Sequence, residues 1–409
     1  MKNEVGDNLK LALGMITKDL LTEEPLDQFL ENSEKFGHHV DSVVIGYSDK
    51  IDESIVEALR QKVKVHLVKI KQSGLLHHKL LDLGLSKDEI IPLIGDITEA
   101  CDGRSAYGIS RNHVIIEAIL QDIDILCFID TDVYPEVVIK KKDLQDTGVY
   151  KTRETTIEDV YIQEVDFLGE HLKYLEDEKV KVTTSDYTGY YIIPPMQFPG
   201  MQDLFYGLKK ETAYNYIMDS FHHHCLSTDH GIRRNGFRTE KVLGGNVAIK
   251  LDLFKTMVPF FSTIYEVEGG KYLTRGEDTV LAIQLKTQQD HIFYDIDMKI
   301  FHNTYSHFPT VPDILRDQHI KDRFFYACMG WIGRNPFLND IRGLNPKSCY
   351  ELEHHYLLEG AKAISQHLDD DRFNLLPKAH EIAYRQLDDM KAEFERFKTS
   401  WFEFIRRIG

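Results

Sequence analysis

Apolar residues in the first third of the chain recur with two alternating periods, which predict strands and helices in turn. Runs of about four to eight apolar residues are typical of buried strands, and apolar positions three or four apart are typical of helices. Predicted strands cover 11–16, 42–46, 63–70 and 123–130, and predicted helices cover 26–36, 51–62 and 113–121. Strands that alternate with helices favour a parallel sheet with right-handed crossovers.

The pattern changes after about residue 140, where charged residues dominate for some forty positions. A segment rich in β-branched and aromatic residues then predicts one or two strands, and the chain is helical from about residue 309 to its end. In chain order, the expectations are loop and short helix at 73–104, strands at 182–193, a helix at 202–223, a strand at 242–249, a helix at 279–286 and a loop at 330–346.

The last predicted helix carries an apolar stripe with the a/d spacing of a coiled-coil face. Its members are Ala383, Leu387, Met390, Phe394, Phe397, Trp401, Phe404 and Ile408. Two interpretations are open: the stripe packs against the protein's own helical region, or it forms a contact between copies in a homo-oligomer. Arg406 and Arg407, beside Phe402, also permit docking on a membrane surface.

Composition narrows the class of protein. The 409 residues carry a formal net charge of -17, which argues against nucleic-acid binding and means that a phosphorylated substrate needs local cations or a metal. Five scattered cysteines without C-x-x-C spacing indicate free thiols in a reducing compartment. Neither a transmembrane stretch nor a signal-peptide pattern is present, so we predict a cytoplasmic protein.

Two aspartates mark the most informative position of the chain. Asp130 and Asp132 follow an apolar run, 123–129, that reads as a buried strand. Open α/β sheets bind ligands at the carboxyl ends of their strands, and two carboxylates placed there repel each other unless a cation lies between them. Such oxygen ligands suit Mg²⁺ or Mn²⁺. The alternative is a strand end capped by solvated acids.

Further segments with candidate chemistry occur in a fixed order around this pair. Gly108-Ile-Ser-Arg-Asn112 opens a helix just before the strand. Leu243-Gly-Gly-Asn-Val-Ala-Ile-Lys250 follows, with a glycine pair entering an apolar strand. A third segment, 275–285, has two acids at a helix start, and His302 comes after another strand-like run.

In this order of motifs the chain resembles the GT-A nucleotide-sugar glycosyltransferases, particularly the large inverting family 2, over about residues 8–308. The resemblance implies an α/β fold of the GT-A kind, a Rossmann-like mixed and mostly parallel sheet flanked by helices, followed by a helical C-terminal region. It divides the chain into a glycosyltransferase domain at 1–308, with a nucleotide-binding half at 8–135 and an acceptor-side half at 136–308, and a helical region at 309–409.

The resemblance implies a donor site built on a metal ion. Asp132 would bind the Mn²⁺ or Mg²⁺ that bridges the donor phosphates, Asp130 would hold the ribose or the metal's water shell, and His302 would be a third metal ligand. Arg111 would contact the nucleotide or its phosphates. For His302 a structural role, and for Arg111 a surface position, are the open alternatives.

The resemblance also implies an acceptor side. Asp278 would be the general base that deprotonates the acceptor hydroxyl, with Glu277 orienting the acceptor. The alternative is that both acids only favour the helix N-terminus. Gly244 and Gly245 would let the backbone approach the sugar or acceptor, and Asn246 would bond a sugar hydroxyl.

Two features depart from the family pattern. Gly46-Tyr-Ser-Asp49 stands where family 2 members usually carry an aspartate pair that reads the base, so Tyr47 becomes a candidate stacking surface and Asp49 a candidate hydrogen-bond partner. The Q-x-x-R-W motif of processive synthases is missing, and 317–323 does not replace it. A processive synthase is therefore disfavoured.

The sequence thus predicts a metal-dependent transfer of a sugar from a nucleoside diphosphate donor, UDP or GDP, to a hydroxyl of a carbohydrate or another acceptor, with inversion. A retaining enzyme of the same fold, a nucleotidyltransferase and a non-catalytic scaffold are the alternatives. Two smaller features stay open. Phe221-His-His-His-Cys225 is a metal ligand set or a surface cluster, and Tyr187, Tyr190 and Tyr191 form an acceptor platform or strand core.

Overall fold

The structure is a computed structural model that describes residues 9–70, 74–95, 106–145, 148–155, 157–191, 193–194, 196–209, 226, 231–233, 235–239, 241–287, 292–305 and 310–409. The strands are β1 (Leu11–Thr17), β2 (Ser42–Tyr47), β3 (Lys64–Lys69), β4 (Ile125–Ile129), β5 (Val133–Lys140), β6 (Thr152–Glu154), β7 (Val160–Glu164), β8 (Val180–Thr184), β9 (Tyr187–Gly189), β10 (Phe237–Arg238), β11 (Asn246–Lys250), β12 (Ile264–Val267), β13 (Gly270–Leu273), β14 (Ile292–Asp295) and β15 (Ile300–His302). The α-helices are α1 (Leu26–Lys35), α2 (Glu53–Arg60), α3 (Leu75–Asp82), α4 (Lys87–Ile94), α5 (Tyr107–Leu120), α6 (Phe167–Leu175), α7 (Met201–Gly207), α8 (Glu277–Thr287), α9 (Gln318–Ile341), α10 (Pro346–Leu368), α11 (Leu376–Arg385) and α12 (Leu387–Ile408).

A mixed sheet of eight strands, in the order β10-β14-β8-β11-β4-β1-β2-β3, forms the centre of the molecule. β1 is parallel to β2 and to β4, β2 is parallel to β3, and β8 is parallel to β14. β11 runs antiparallel between β4 and β8. The predicted fold class, a mixed and mostly parallel sheet flanked by helices and followed by a helical region, is confirmed.

The order of the strands creates a crevice at the carboxyl end of β4. The chain builds the sheet outward from β1 to β3 and then returns to place β4 on the other side of β1, so the strand order reverses between these two strands. Ligands bind at such switch points because the loops that leave the two strands diverge to opposite faces. All five residues of β4 are buried, as expected for a central strand covered on both faces.

A second sheet begins at this crevice. Its five strands have the order β6-β7-β5-β15-β9, and β5 starts only a few residues after β4 ends. The turn Asp130-Thr-Asp132 therefore joins the two sheets. β15 pairs with β5 so that His302 lies opposite Val133, next to Asp132.

The expected loop at 330–346 is wrong for most of its length, because α9 continues to Ile341 with Pro336 inside it. The glycines that suggested a loop serve close packing instead. A Cβ on Gly330 would lie 2.4 Å from Cγ of Arg275, and one on Gly333 would lie 2.3 Å from the ring of Tyr265. These glycines let α9 approach the chain just before α8 and the hairpin of β12 and β13.

The apolar stripe of α12 is buried within the chain. Met390, Phe397, Trp401 and Phe404 belong to the same apolar cluster as the residues of β4 and α5, and the indole Nε1 of Trp401 donates to the carbonyl of Phe254 at 2.8 Å. The stripe thus packs against the sheet domain. One interpretation expected it to pack against the helical region of the same chain. The face on which an oligomer contact was predicted is already covered, and the oligomeric state stays a prediction without that support.

Other predicted segments have mixed outcomes. The strands expected at 182–193 are present as β8 and β9. The stretch expected as loop and short helix at 73–104 contains the short helices α3 and α4 in its described part, 74–95. The helix expected at 202–223 is seen as α7, while 210–223 and the histidines of 221–225 lie outside the described residues. In the part of the chain that is described, none of the helices has the length and apolar character needed to cross a membrane.

Candidate active site

Asp130 and Asp132 lie in the turn that leaves β4, at the crevice where the strand order reverses. Their side chains keep 29% and 28% of their surface exposed, so both carboxylates reach the opening although the strand before them is buried. The backbone carbonyl of Asp132 accepts from the amide of Asn303 at 2.7 Å, which ties the turn to the end of β15. The predicted acidic strand tip is therefore held open to solvent by both sheets.

His302 faces Asp132 with a ring nitrogen. Its Nε2 lies 3.1 Å from Oδ2 of Asp132, and its Nδ1 lies 3.2 Å from the carbonyl oxygen of Tyr190. A carbonyl oxygen can only accept, so Nδ1 carries the proton and neutral His302 presents the lone pair of Nε2 to the carboxylate. A histidine held at one nitrogen by a carbonyl and open at the other is the arrangement of a metal ligand.

The spacing of this pair fits a divalent cation. Two ligands about 2.1 Å from an octahedral ion and at right angles to each other are about 3.0 Å apart, close to the separation seen here. Among the described residues, no group of three His, Cys, Asp or Glu side chains is arranged to hold a metal. Mg²⁺ and Mn²⁺ are commonly bound by one or two protein ligands together with substrate phosphates and water. The pair therefore suits a metal that is shared with a substrate.

Asp132 and His302 shift each other's pKa. Burial raises the pKa of Asp132, but His302 and, with a smaller effect, Arg323 of α9 lower it, so the net shift is downward. Burial lowers the pKa of His302, but the carboxylate of Asp132 outweighs it and the net shift is upward. Each group thus stabilises the charged form of the other.

Asp130 is held by one partner at each oxygen. Nη2 of Arg111 donates to Oδ1 at 2.9 Å, and the hydroxyl of Tyr187 donates to Oδ2 at 2.7 Å. Each carboxylate oxygen has a second lone pair, so Asp130 can still accept a bond from a ligand in the crevice. Its orientation, however, is set by the protein.

Arg111 does not reach into the crevice as the resemblance implied. It is buried in the first turns of α5, and its guanidinium bridges Asp130 and Glu277, the first residue of α8. Its charge is stabilised by these two carboxylates, which raise its pKa although burial lowers it. We therefore revise its role from a phosphate contact to an internal cation that joins Asp130, in the turn after β4, to the acid pair of α8.

The two acids at the start of α8 differ in accessibility. Glu277 is buried against Arg111, and burial raises its pKa despite that neighbour. Asp278 is only half-buried: its Oδ1 accepts from the amide of Thr279 at 2.7 Å, and its Oδ2 lies 3.4 Å from the amide of Gly244. Asp278 is thus the acid of the pair that a substrate hydroxyl can reach.

The glycine pair serves the protein's own packing. A Cβ on Gly244 would lie 2.5 Å from the guanidinium of Arg111, and one on Gly245 would lie within 2.3 Å of Tyr187 and Asp130. These residues make room for the site's side chains, a different reason from the close approach to a sugar that was expected.

Asn246 is also used internally. It is fully buried, it donates to the carbonyls of Asp186 and Met298 at 3.1 and 3.0 Å, and its Oδ1 lies 3.1 Å from Nε2 of His171. Both of its N–H donors are used and its side chain is fully buried, so a sugar hydroxyl does not reach it. We withdraw it as a substrate contact.

Tyr47 and Asp49 lie at the same edge of the sheet as Asp130. β2 runs parallel to β1, and β1 runs parallel to β4, so the ends of all three strands open on one side. Two strand spacings, roughly 10 Å, separate β2 from β4. The side chain of Asp49 is 48% exposed, with Nζ of Lys18 3.8 Å from its carboxylate. This position is compatible with a nucleoside that extends from a phosphate site at Asp132.

Two residues of the site were missed or left undecided by the sequence. Tyr187 had two interpretations, neither of which included a bond to Asp130. Arg323 was considered only as part of a segment that fails to match a motif, although the structure brings this half-buried arginine close enough to Asp132 to affect it electrostatically. The sequence signal that could have pointed to Arg323 is its position directly before two phenylalanines.

Comparisons with known proteins show a distant likeness. No protein-family model matches the sequence, and no curated protein matches it. Solved structures similar to this chain include a mannosyltransferase from Pyrobaculum calidifontis in complex with GDP-Man and Mn²⁺, with 13% identity, coverage of 95% of this chain and 86% of that chain, and a TM-score of 0.39. Another is glucosyl-3-phosphoglycerate synthase from Mycobacterium tuberculosis in complex with Mg²⁺ and UDP, with 12% identity, coverage of 83% and 81%, and a TM-score of 0.40.

Proposed function

We propose that this protein is a metal-dependent glycosyltransferase of the GT-A type, which moves a sugar from a nucleoside diphosphate sugar to an acceptor hydroxyl. The observation that carries the proposal is the pair of Asp132 and His302. Their facing atoms lie 3.1 Å apart, a spacing suited to adjacent ligands of a divalent cation, at the switch point of the sheet. Two protein ligands leave the remaining coordination positions for phosphate oxygens.

The donor side of the crevice follows from this pair. Asp132 and His302 would hold the metal, and Tyr47 and Asp49 would contact the nucleoside. When bound, the metal supplies charge neutralisation for the leaving diphosphate. Arg323, whose charge reaches Asp132 from α9, adds a second cation on the side of the helical region. In a chain with a formal charge of -17 these local positive charges are what allows a diphosphate to bind.

The acceptor side is built on Asp278. Glu277 is fixed by Arg111, which orients the start of α8, whereas Asp278 is only half-buried. We assign Asp278 as the general base: it takes the proton of the acceptor hydroxyl as that oxygen bonds to the anomeric carbon and the diphosphate departs. A base that activates an external hydroxyl for direct displacement implies inversion at the anomeric carbon.

The test is a donor screen that reads binding and chemistry separately. UDP-, GDP-, ADP- and TDP-sugars would be added with Mn²⁺, with Mg²⁺ or with EDTA, and the melting temperature and the release of nucleoside diphosphate would be measured. We expect one donor class to raise the melting temperature only with metal, by linkage, and to be hydrolysed slowly without an acceptor.

Three outcomes decide between the alternatives. Binding with metal but no diphosphate release under any condition would favour a non-catalytic scaffold. Diphosphate release with a product of the donor's anomeric configuration, read by NMR, would favour a retaining enzyme. No donor that stabilises the protein in a metal-dependent way would overturn the proposal.

A further inference from the structure

Tyr187 is the first residue of β9, and its side chain reaches across to the turn after β4. Its hydroxyl donates to Oδ2 of Asp130 at 2.7 Å, so it is committed to a carboxylate of the crevice. Burial and Asp130 raise its pKa well above the ordinary value, which keeps the hydroxyl protonated and able to donate. This excludes a purely apolar role in the core of the strand.

The ring of Tyr187 lies flat against the imidazole of His302. The ring centroids are 5.0 Å apart and the planes differ by 8°. β9 and β15 are parallel neighbours, so the two rings are carried by adjacent strands of one sheet. The hydrogen bond from Nδ1 fixes one edge of the imidazole, and the stacked ring fixes its plane. Together they leave Nε2 one direction, toward Asp132.

The groups around Asp130 and Tyr187 restrict both side chains. Arg111 holds the other oxygen of Asp130 at 2.9 Å, and a Cβ on Gly245 would lie 2.2 Å from the hydroxyl of Tyr187. A metal site requires its ligands at fixed distances, and groups behind the ligands supply that order. Tyr187 contacts two residues of the crevice with two parts of one side chain, the hydroxyl and the ring.

We infer that Tyr187 is a positioning residue of the metal site: its hydroxyl sets the orientation of Asp130, and its ring sets the plane of His302. This inference rests on the proposed function, because it assumes that the crevice binds a divalent cation. It also assigns Tyr187 a different task from the acceptor platform considered from the sequence. The ring is covered by His302, so a sugar cannot stack on that face.

The test measures binding of Mn²⁺ alone, without donor or turnover. Free Mn²⁺ is counted by electron paramagnetic resonance while the protein is titrated, for the wild type, Tyr187→Phe and Tyr187→Leu. Tyr187→Phe keeps the stacked ring and loses the hydroxyl, and Tyr187→Leu loses both. Tyr187→Phe releases Asp130, which would hold the metal's water shell, and we expect the Kd for Mn²⁺ to rise about tenfold. Tyr187→Leu also releases the ring of the ligand His302, and we expect a rise of up to about a hundredfold, the range found for groups behind metal ligands.

Tyr174→Phe is the matched control. Tyr174 is also half-buried, its ring also stacks on a neighbour, Tyr294, at 5.5 Å, and its hydroxyl also makes one hydrogen bond, from the amide of Gly236 at 3.1 Å. It lies away from the crevice. We expect it to bind Mn²⁺ like the wild type, with a melting temperature lowered about as much as in Tyr187→Phe.

The outcomes separate this inference from the proposed function. If the wild type binds Mn²⁺ and Tyr187→Phe and Tyr187→Leu bind it equally well, the positioning role is overturned and the metal site stands. If Tyr174→Phe weakens Mn²⁺ binding as much as Tyr187→Phe does, the effect is a general loss of packing and the inference is again overturned. If the wild type binds no Mn²⁺, either alone or with UDP or GDP added, the metal-dependent function fails and the inference falls with it.

Discussion

Two buried carboxylate networks of this protein use the same kinds of side chain but differ in how completely they are satisfied. In the helical region, Glu353 is 1% exposed and receives four donors: Lys209 at 2.7 Å, Asn339 at 2.9 Å, His380 at 3.0 Å and Tyr384 at 3.1 Å. A carboxylate has about four lone-pair sites, so every one is filled. Burial raises the pKa of Glu353, but the bonds from His380 and Lys209 outweigh it and the net shift is downward.

The crevice network, which we call the open network, has hydrogen-bonding positions that no protein group among the described residues fills. The network around Glu353, in which all are filled, is the closed network. Asp132 and His302 face each other with an acceptor each when the imidazole is neutral, and Asp132 keeps 28% of its side chain exposed. Placing two such groups together costs free energy unless a proton or a cation joins them. The comparison teaches that a completed network stabilises the fold, while an incomplete one at an opening marks a place for a ligand.

The most drastic way to test the open network is Asp132→Ala. Losing one of two protein ligands removes metal-dependent donor binding, and we expect turnover to fall on the order of a thousandfold or more. Asp252→Ala is the control, because Asp252 follows β11 at the opposite end of the sheet and its side chain is 50% exposed. Donor affinity with and without EDTA is the measurement. A variant that still binds donor only with metal would show that the cation is held elsewhere.

Asp278→Asn separates chemistry from binding within the open network. The amide cannot take the acceptor proton, so kcat should fall by about 10² to 10⁴, as for a lost general base. Donor binding by calorimetry should stay within a factor of about two, because Asp278 does not contact the metal side. Near-wild-type turnover would mean that the inverting assignment is wrong.

Glu353→Ala addresses the closed network. It leaves Lys209 without its buried carboxylate, and removing one partner of a buried ion pair costs about 3 to 5 kcal/mol. The urea midpoint should drop accordingly while the Kd for Mn²⁺ stays unchanged, the reverse of the Asp132→Ala result. Should the variant lose metal affinity but keep its stability, the distinction between the two networks would not hold.

The smallest expected effect concerns pH and two histidines that face neither network. Burial lowers the pKa of His113 and of His171 to about 4. Both are neutral in the folded protein, so stability is complete above the unfolded-state pKa of about 6.5 and is lost as the pH falls toward 4. Each should cost roughly 2 kcal/mol at pH 5 relative to pH 7.5.

Urea midpoints across that pH range check this prediction. His171→Gln keeps a donor for Oδ1 of Asn246 but cannot be protonated, so it should lose its share of the pH dependence. An unchanged slope in that variant would show that other groups control the acid response.

The sequence was most informative where the signal is local. The buried strand before Asp130, the acids at the start of α8 and the spacing of the stripe in α12 each depend on a few neighbouring positions, and the structure contains all three elements. Periodicity reports which face of an element is buried, and turn residues report where it ends. These features sufficed for the class of fold and for the edge of the sheet at which the candidate site lies.

The partners across the fold could not be predicted in this way. Arg111 was assigned to a phosphate because its two carboxylates, Asp130 and Glu277, are 19 and 166 positions away along the chain. Gly245 was explained by a ligand because nothing local shows that Tyr187 occupies the space of its Cβ. The stripe of α12 was recognised, but its actual neighbour, Phe254, lies 147 positions away. In each case the sequence identified the residue, but its contacts are made by a segment that is distant along the chain.

The two tryptophans of the chain lie in different helices, α9 and α12, and each can report by fluorescence on its own surroundings. Trp331 is buried in α9 with the guanidinium of Arg275 6.0 Å from its ring, beside the start of α8. Trp401 is fully buried in α12 and bonded to Phe254. Single Trp→Phe variants would therefore yield intrinsic fluorescence from one location at a time. Emission from Trp331 would follow events near the acid pair, and a red shift from Trp401 would mark detachment of the final helix.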